Sequence, residues 1–284
     1  MRGQPKTYES EIAQRAVRIE AHVTQVCNAV CAHCNAGVGL MKIRKSDMTP
    51  DQMRRAVDSL INQKIEVRRF TFCGGEPIVH PQLQELIDEA SRLPGVRYGF
   101  RILTNGLKST EEKRAAIRLP PRFAWIVNAL DDIEDPLSGK NNPHARPNKR
   151  YHTPFWVSPA DVGLEATFEN CTTKGWCGIG LDSTGFQACG KMRMFGELLG
   201  VEGVSLREGD IMQHINTAVP EICKHCQYGL PGGGRAGRRQ RGMKGPAYEI
   251  EAAVRQGKMA AISPTFVKAF AQHKEQPLIQ LERF

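Results

Sequence analysis

The sequence predicts an α/β fold: a partial barrel of strand–helix units, followed by a smaller cysteine-rich region. In the first half of the chain, apolar runs of strand length alternate with segments of helical periodicity. In the second half this alternation fades, and five of the nine cysteines appear. Because strands separated by helices pair in parallel through right-handed crossovers, the first half should form the barrel.

Four strands are predicted in the first half. Alternation of apolar and polar residues marks the first strand at Ile19, Ala21 and Val23. Apolar runs mark the next three strands, at residues 67–72, 96–103 and 123–127. The carboxyl ends of these strands should meet at one face of the barrel.

Three helices are predicted between the strands. Thr49 and Gln52 form a capping box that predicts the start of the first helix. A second helix begins at Pro81, and its apolar stripe consists of Leu83, Leu86, Ile87 and Ala90. Ser109 and Glu112 form another capping box, which predicts a short third helix.

Three regions are expected: a core over residues 1–160, a cysteine-rich region over 161–247, and a helical tail over 248–284. Within the second region, apolar runs at 179–181 and 186–189 flank a turn that ends at Gly185, which predicts a hairpin. A helix over 210–218 then leads into Cys223-Lys-His-Cys226.

The composition favours a folded cytoplasmic protein. Hydrophobic residues make up 40% of the chain and charged residues 24%. No apolar run approaches the roughly 20 residues that a membrane span needs, and the polar first 18 residues do not resemble a signal peptide. Because the cytosol keeps thiols reduced, the cysteines are expected to be metal ligands rather than disulfides.

The net charge of +9 is partly concentrated in two stretches. Residues 222–248 and 140–151 carry several lysines and arginines and no acidic residue. Basic clusters favour phosphate-bearing partners, so a DNA or nucleotide substrate is expected, and no membrane. The alternative is a solvated basic surface.

The cysteine triplet Cys27, Cys31 and Cys34 carries the chemistry. Four local thiolates would close a zinc site or fully ligate an iron–sulfur cluster, whereas three leave one metal position open. Other unusual residues follow the next strands: Gly74, Gly75, Glu76 and Pro77 after the second, Asn105 after the third, and Asn128 after the fourth. All of them should lie on the same face as the triplet, which predicts an active site there.

The triplet, Gly-Gly-Glu-Pro and Thr-Asn-Gly, in this order and each after a strand, resemble the radical S-adenosylmethionine (radical SAM) enzymes over residues 18–130. The resemblance implies a partial (β/α)6 barrel. It also implies that Cys27, Cys31 and Cys34 hold a [4Fe–4S] cluster, and that SAM binds its fourth iron. Reductive cleavage of SAM to a 5′-deoxyadenosyl radical and hydrogen abstraction from a substrate follow, with an electron donor of the flavodoxin or ferredoxin type.

The resemblance also implies cofactor-binding residues. Gly74 and Gly75 would let the backbone approach SAM, Glu76 would accept from its ammonium, and Pro77 would fix the turn. Asn105 and Asn128 would contact the SAM carboxylate or ribose. His33 stands where the family usually has an aromatic residue before the third cysteine. No residue is assigned as the acid, base or radical relay of catalysis.

The remaining cysteines resemble the auxiliary-cluster region called SPASM or its shortened form, twitch, which implies a second [4Fe–4S] cluster. Cys189, Cys223 and Cys226 are the expected ligands. The fourth ligand is Cys171, which fits the family spacing, or Cys177, which borders the hairpin, and the other is spare. A structural zinc is the alternative, because four thiolates suit zinc equally well.

The expected substrate is a nucleic-acid base or a nucleotide-linked group, for which the basic stretches would supply phosphate contacts. Radical SAM proteins of similar layout that isomerise an amino-acid-modified thymidine in phage DNA are one such type. The alternatives are a peptide or small-metabolite substrate, or a non-catalytic iron–sulfur or zinc protein that binds nucleic acid.

Overall fold

The fold is known from a computed structural model that describes residues 16–29, 47–127, 157–171, 178–190, 199, 204–205, 210–212, 220–231, 249–250, 253–254, 258 and 262–272. The strands within these ranges are β1 (Ala16–Thr24), β2 (Glu66–Gly74), β3 (Phe100–Thr104), β4 (Phe123–Val127), β5 (Ile179–Asp182), β6 (Gly185–Gln187) and β7 (Val204–Ser205). The helices are α1 (Pro50–Asn62), α2 (Leu83–Ala90), α3 (Glu111–Ala116), α4 (Pro220–Cys223) and α5 (Pro264–Gln272).

The seven strands form one sheet in the order β4-β3-β2-β1-β5-β6-β7. The pairs from β4 through β1 to β5 are parallel, and β5–β6–β7 are antiparallel. This arrangement confirms the predicted α/β class with mostly parallel strands. The sheet also runs through the predicted boundary at residue 161, because β5 pairs with β1.

One face of the sheet is packed by helices. The buried side of α1 consists of Met53, Ala56, Val57 and Leu60, and that of α2 of Leu83, Leu86, Ile87 and Ala90. These residues share one core with β1 and β2, and with Leu181 and Phe186 of the β5–β6 hairpin. A separate small core contains Val157, Ala166, Leu230 and Ile250.

The structure confirms most of the predicted elements and corrects one helix cap. Thr49 and Gln52 form the expected capping box: the Thr49 Oγ1 accepts from the Gln52 amide at 3.2 Å, and the Gln52 Oε1 accepts from the Thr49 amide at 2.8 Å. The predicted Ser109–Glu112 box is wrong, because α3 begins at Glu111 and its cap is Thr110, which makes no side-chain cap bond. The Ser109 hydroxyl instead accepts from the Asn28 amide at 3.0 Å.

The third strand is shorter than predicted. It begins at Phe100 rather than at 96, because Gly95 and Gly99 adopt φ values of +66° and +70° and turn the chain before it. Of the predicted helix over 210–218, only residues 210–212 are described. Among the described helices, none is both long enough and apolar enough to cross a bilayer.

The two ends of the segment that carries the cysteine triplet are joined by hydrogen bonds. The Thr24 hydroxyl donates to the Asp47 carboxylate at 2.6 Å, and the Met48 amide donates to the Val23 carbonyl at 2.9 Å. His80 braces this junction, because its Nε2 lies 3.0 Å from the Met48 carbonyl oxygen while its Nδ1 accepts from an amide. Burial lowers the pKa of His80, which favours the neutral ring that this pair of bonds requires.

Candidate active site at the carboxyl ends of the strands

The described members of the predicted site gather at one edge of the sheet. Cys27 follows the end of β1 by three residues, Gly74 ends β2, and Asn105 follows β3 directly. Because these strands are parallel neighbours, the three residues meet at their carboxyl ends. The other predicted members lie outside the described residues: Cys31, His33, Cys34 and Asn128.

Gly74 and Gly75 allow β2 to touch the chain that leads into Cys27. A Cβ on Gly74 would lie 2.3 Å from the Thr24 carbonyl oxygen, and one on Gly75 would lie 2.1 Å from the Val26 carbonyl oxygen. The Gly75 amide donates to the Thr24 carbonyl at 2.8 Å, and the next amide donates to the Val26 carbonyl at 2.9 Å. Glycine is therefore required at both positions because the two backbones are in direct contact, and this contact holds the start of the cysteine segment.

Glu76 is fully buried and joins the ends of β2 and β3. One carboxylate oxygen accepts from the Ile78 amide at 3.1 Å, and the other accepts from the Asn105 amide at 2.7 Å. Burial raises the pKa of Glu76, while these amides and the Thr104 hydroxyl oppose the rise. An ionised carboxylate has about four lone-pair positions, so contact with a cofactor ammonium stays a prediction. Pro77, also buried, begins the short 3-10 turn that follows.

Asn105 connects β3 to Cys27. Its Nδ2 lies 3.9 Å from the Cys27 Sγ and donates to the Asn28 Oδ1 at 2.8 Å. Its Oδ1 accepts from the Leu107 amide at 3.0 Å, which fixes the orientation of the side-chain amide. An N–H aimed at a cysteine sulfur stabilises its thiolate and is one of the determinants of the reduction potential of an iron–sulfur cluster. Contact of Asn105 with SAM stays a prediction.

Two polar residues of β1 that the sequence analysis did not assign lie on the inward face of the sheet. The His22 Nε2 lies 3.0 Å from the Gly190 carbonyl oxygen, and a Cβ on Gly190 would lie 2.1 Å from a Glu20 carboxylate oxygen. The sequence offered part of the signal, since Glu20 and His22 alternate with apolar residues; that β1 has neighbours on both sides is known only from the structure. Strands of a covered parallel sheet are usually apolar on both faces, so these two polar residues set β1 apart from such a strand, and both contact the Gly190 backbone.

Four of the five C-terminal cysteines lie close together. Burial raises the pKa of the Cys226 thiol well above its usual value, and the neighbouring thiols of Cys189, Cys171 and Cys223 raise it further. The described His, Cys, Asp and Glu residues nevertheless contain no group of three or more in metal-holding geometry, so the thiols are near one another without forming a closed site. Cys177 lies outside the described residues.

The turn between Cys223 and Cys226 is anchored to the segment around residue 158. His225, inside the turn, has its Nδ1 2.8 Å from the Ser158 hydroxyl, and the Gln227 amide donates to the Val157 carbonyl at 3.0 Å. The Thr167 amide donates to the Gly229 carbonyl at 2.9 Å, four residues before Cys171. These contacts bring Cys171 to Cys223 and Cys226, although more than 50 residues separate it from them along the chain.

Comparison with known proteins agrees with this geometry. The family model of the radical SAM superfamily matches residues 22–146. A 120-residue segment is 28% identical to an S-adenosylmethionine-dependent nucleotide dehydratase of Selenomonas ruminantium, covering 42% of this chain and 40% of that protein. A 116-residue segment is 31% identical to the mycofactocin maturase MftC of Mycobacterium tuberculosis, covering 41% of this chain and 25% of the maturase. The chain thus spans less than half of these two relatives.

Solved structures show more distant likeness. BtrN in complex with AdoMet and 2-DOIA superposes with a TM-score of 0.43 at 13% identity, covering 74% of this chain and 92% of BtrN. Streptococcus suis SuiB bound to S-adenosylmethionine gives a TM-score of 0.31 at 17% identity, covering 40% of this chain and 25% of SuiB. Scores at this level add no argument about function.

We expect Gly75→Ala to disturb the cysteine segment more than a glycine substitution in open space does. The added methyl would press on the Val26 backbone and cost about 3 kcal/mol, since backbone cannot step aside as a flexible side chain can. Gly95→Ala is the matched control: it has no neighbour within 4 Å at its φ of +66°, and its cost is about 1 kcal/mol. Urea unfolding measures both values, and equal losses would contradict the close-contact argument.

The glycine contact, the buried carboxylate and the amide beside Cys27 all lie within the segment that the family model matches. Residues 22–146 are a radical SAM domain.

Proposed function

We propose that the chain cleaves SAM reductively and abstracts hydrogen from a nucleic-acid base or a nucleotide-linked group, for example in isomerising an amino-acid-modified thymidine in phage DNA. The observation that carries the proposal is the meeting of Cys27, the Gly74–Gly75 contact and Asn105 at one sheet edge. A purely structural metal site would need neither the Gly74–Gly75 contact nor Asn105 beside the cysteine.

The described residues fit the cofactors that the family implies. Cys27 is partly exposed, so its thiolate is accessible to a cluster, and the Asn105 amide lies beside it. Gln25, two residues before Cys27, has a buried side-chain nitrogen without a hydrogen-bond partner in the described part of the chain, which fits a polar cofactor group nearby. When bound, the [4Fe–4S] cluster and SAM supply an organic radical able to take a hydrogen atom from an unactivated position.

In this proposal the residues of the chain bind and orient the cofactors. Cys27, Cys31 and Cys34 hold the cluster, and the Asn105 amide stabilises the Cys27 thiolate. Gly74 and Gly75 hold the start of the cysteine segment against β2, which fixes the ligand loop relative to the sheet. Further SAM contacts are expected from Glu76, Pro77, Asn128 and His33. A reducing electron donor is required, as for radical SAM enzymes generally.

The C-terminal cysteines form, in this proposal, the ligands of an auxiliary [4Fe–4S] cluster. The mutual influence of Cys171, Cys189, Cys223 and Cys226 on the Cys226 pKa supports this set and supports Cys171 as the fourth ligand. Cys177 is then spare. A structural zinc stays the alternative, because four thiolates suit zinc equally well.

Two observations support a nucleotide-linked substrate. The basic stretches at 140–151 and 222–248 carry no acidic residue, and one relative is named a nucleotide dehydratase. The first stretch lies outside the described residues, as does most of the second. A peptide or small-metabolite substrate is the second candidate, favoured by the similarity to the mycofactocin maturase.

Reduced, anaerobically reconstituted protein is expected to convert SAM into 5′-deoxyadenosine and methionine, measured by liquid chromatography and mass spectrometry. Cys27→Ala should abolish both products, because the cluster loses a ligand. Cys73→Ala is the matched control and should retain them, since Cys73 lies within β2 before the glycine pair. Wild-type protein that contains its cluster and yields neither product would overturn the proposal.

Reconstituted wild-type protein should contain about eight irons per chain, four for each cluster. Cys189→Ala is expected to reduce the count to about four, whereas Cys177→Ala should leave it unchanged. Iron and zinc are both measured by plasma mass spectrometry. Four irons with one zinc in the wild type would show that the second site is a zinc site, and loss of iron in Cys177→Ala would exclude Cys171 as the fourth ligand.

If the basic stretches contact phosphates, the affinity for a fluorescent DNA duplex should fall steeply with salt. A protein that makes about four phosphate contacts loses roughly 100-fold in affinity between 50 and 200 mM salt. Replacing Arg238, Arg239 and Arg241 by glutamine should reduce both the affinity and its salt slope, measured by fluorescence anisotropy. Negligible binding at low salt would argue against a polymer substrate and favour a peptide or metabolite.

A further inference from the structure

Two arginines of neighbouring strands project from the same face of the sheet. Arg101 of β3 pairs with Thr71 of β2, and Arg69 stands two residues before Thr71 on the same strand. Side chains alternate along a strand, so all three lie on one face. The residues between and beside them belong to the core that packs against the helices: Phe70, Phe72, Phe100 and Ile102. Arg69 and Arg101 therefore project from the opposite face, away from α1 and α2.

The two arginines are close enough to share one small anion. Two residues of a strand span about 6.6 Å and neighbouring strands lie about 4.8 Å apart, so the Cα atoms of Arg69 and Arg101 are about 8 Å apart. The chain beside them carries little bulk: Gly99 stands at the entry to β3, and Ala124, which pairs with Arg101 on β4, is exposed. Both arginines are partly exposed, so a ligand can reach the space between them from solvent.

Neither guanidinium is neutralised by an acid of the described ranges. Arg69 and Arg101 form no ion pair there, and the Arg69 Nε is buried without a hydrogen-bond partner. The strands β2, β3 and β4 contain one acidic residue, Glu66, which is exposed at the start of β2. An anion between the arginines would supply both the missing acceptor and the missing charge.

Arg69 and Arg101 also repel one another. Burial lowers the pKa of Arg69, and the Arg101 guanidinium lowers it further. Arg18 of β1, which pairs with Arg69, acts in the same direction, but it has an interaction of its own and is not needed as a ligand. Holding two like charges together costs free energy, and a bound anion would remove that cost.

The Tyr98 ring holds Arg69 in position. The Arg69 guanidinium lies over this ring at 5.5 Å from its centre, and that of Arg97 lies at 5.4 Å. The Tyr98 amide donates to the Arg68 carbonyl at 2.7 Å, which fixes the tyrosine beside β2. Cation–π attraction restricts the Arg69 side chain before a ligand arrives, so less rotamer entropy is lost on binding. Tyr98 is 47% exposed, so this end of the site is open to solvent.

We propose that Arg69 and Arg101 bind a phosphate group of the substrate, with both guanidinium groups donating to its oxygens. A guanidinium presents its N–H groups as a planar fork that matches a pair of oxygen atoms. A carboxylate has two oxygens and is saturated by one such fork, whereas a phosphate monoester has three and can accept from two forks at once. Two arginines without a neighbouring acid therefore favour phosphate over carboxylate.

The position of the arginines on the sheet decides how the substrate would lie. Asn105, beside Cys27, stands four residues beyond Arg101, or about 13 Å along the strand. A phosphate on the arginines would thus lie toward the amino ends of the strands, while the reacting part extends toward the edge where SAM is expected. This assignment rests on the proposed function and deepens it, because it places one phosphate on the sheet itself, in addition to any contacts of the basic stretches.

The test compares thymidine 5′-monophosphate with thymidine, which lacks only the phosphate, in binding to the reconstituted protein by ligand-observed NMR titration without reductant. We expect the monophosphate to bind about tenfold more tightly, since thymidine loses the charge-assisted contacts. Arg69→Gln and Arg101→Gln should each reduce the affinity for the monophosphate about tenfold and leave thymidine binding unchanged. Inorganic phosphate should compete with the monophosphate, and succinate should not.

Tyr98 is expected to act as a positioning residue for Arg69. Tyr98→Leu should weaken binding of the monophosphate about threefold, because the ring that holds the guanidinium is lost. Tyr98→Phe should retain the wild-type affinity, because phenylalanine keeps that ring. Equal losses in the two variants would contradict this role.

Arg54→Gln on α1 is the matched control, since it removes the same charge from the helix-packed side of the sheet. It should leave both affinities unchanged, and a loss equal to that of Arg101→Gln would overturn the proposal by showing a nonspecific charge effect. Equal binding of the monophosphate and thymidine by the wild type would overturn it without relying on any variant. Competition by succinate as strong as that by phosphate would also overturn it and assign the site to a carboxylate.

A short oligothymidylate identifies the source of the phosphate. If it binds more tightly than the monophosphate and depends on Arg101, the phosphate belongs to a polymer. If it binds more weakly and the monophosphate depends on Arg101, the phosphate belongs to a free nucleotide. SAM cleavage is measured separately: protein that cleaves SAM but does not prefer the monophosphate to thymidine would overturn this site alone, and that preference without cleavage would overturn the proposed function alone.

Discussion

The close approach of two backbones, at Gly74–Gly75 and at Thr24–Val26, is the constraint on which the site depends. The two glycines bring the end of β2 within hydrogen-bonding distance of the chain that enters the cysteine segment. Without this contact, the chain that leads to Cys27 would lose its two backbone hydrogen bonds to the end of β2. With it, the first cysteine stands at a defined place beside β2 and β3, where the Asn105 amide reaches its sulfur.

Buried polar groups extend this constraint across the edge of the sheet. The Glu76 carboxylate accepts from amides that follow β2 and β3, so a charge removed from water is compensated by the backbone itself. The side-chain amide of Asn105 extends this network to the Cys27 sulfur and to Asn28. The side-chain amide of Asn28 in turn donates to the Ser109 hydroxyl. The residues that lead from β1 to the predicted cluster ligands are thereby held by neighbouring strand ends as well as by their own strand.

The second group of cysteines is tied to the same sheet. Cys189 follows β6, and the adjacent Gly190 contacts Glu20 and His22 of β1, the strand that leads to Cys27. Cys189 is therefore linked through Gly190 to the strand that leads to Cys27, within one sheet rather than in an independent domain.

The sequence by itself determined the strand–helix order, the class of the sheet, the Thr49 cap and the positions at which unusual residues leave the strands, because periodicity, capping and glycine–proline chemistry are local. Tertiary structure alone decided that β5 pairs with β1, that Glu76 accepts from the Asn105 amide, that Ser109 serves Asn28 rather than a helix cap, and that Glu20, Thr71 and Arg101 form one row. These features depend on register between strands far apart in the chain. Register is set by packing of the whole sheet, and no local pattern encodes it.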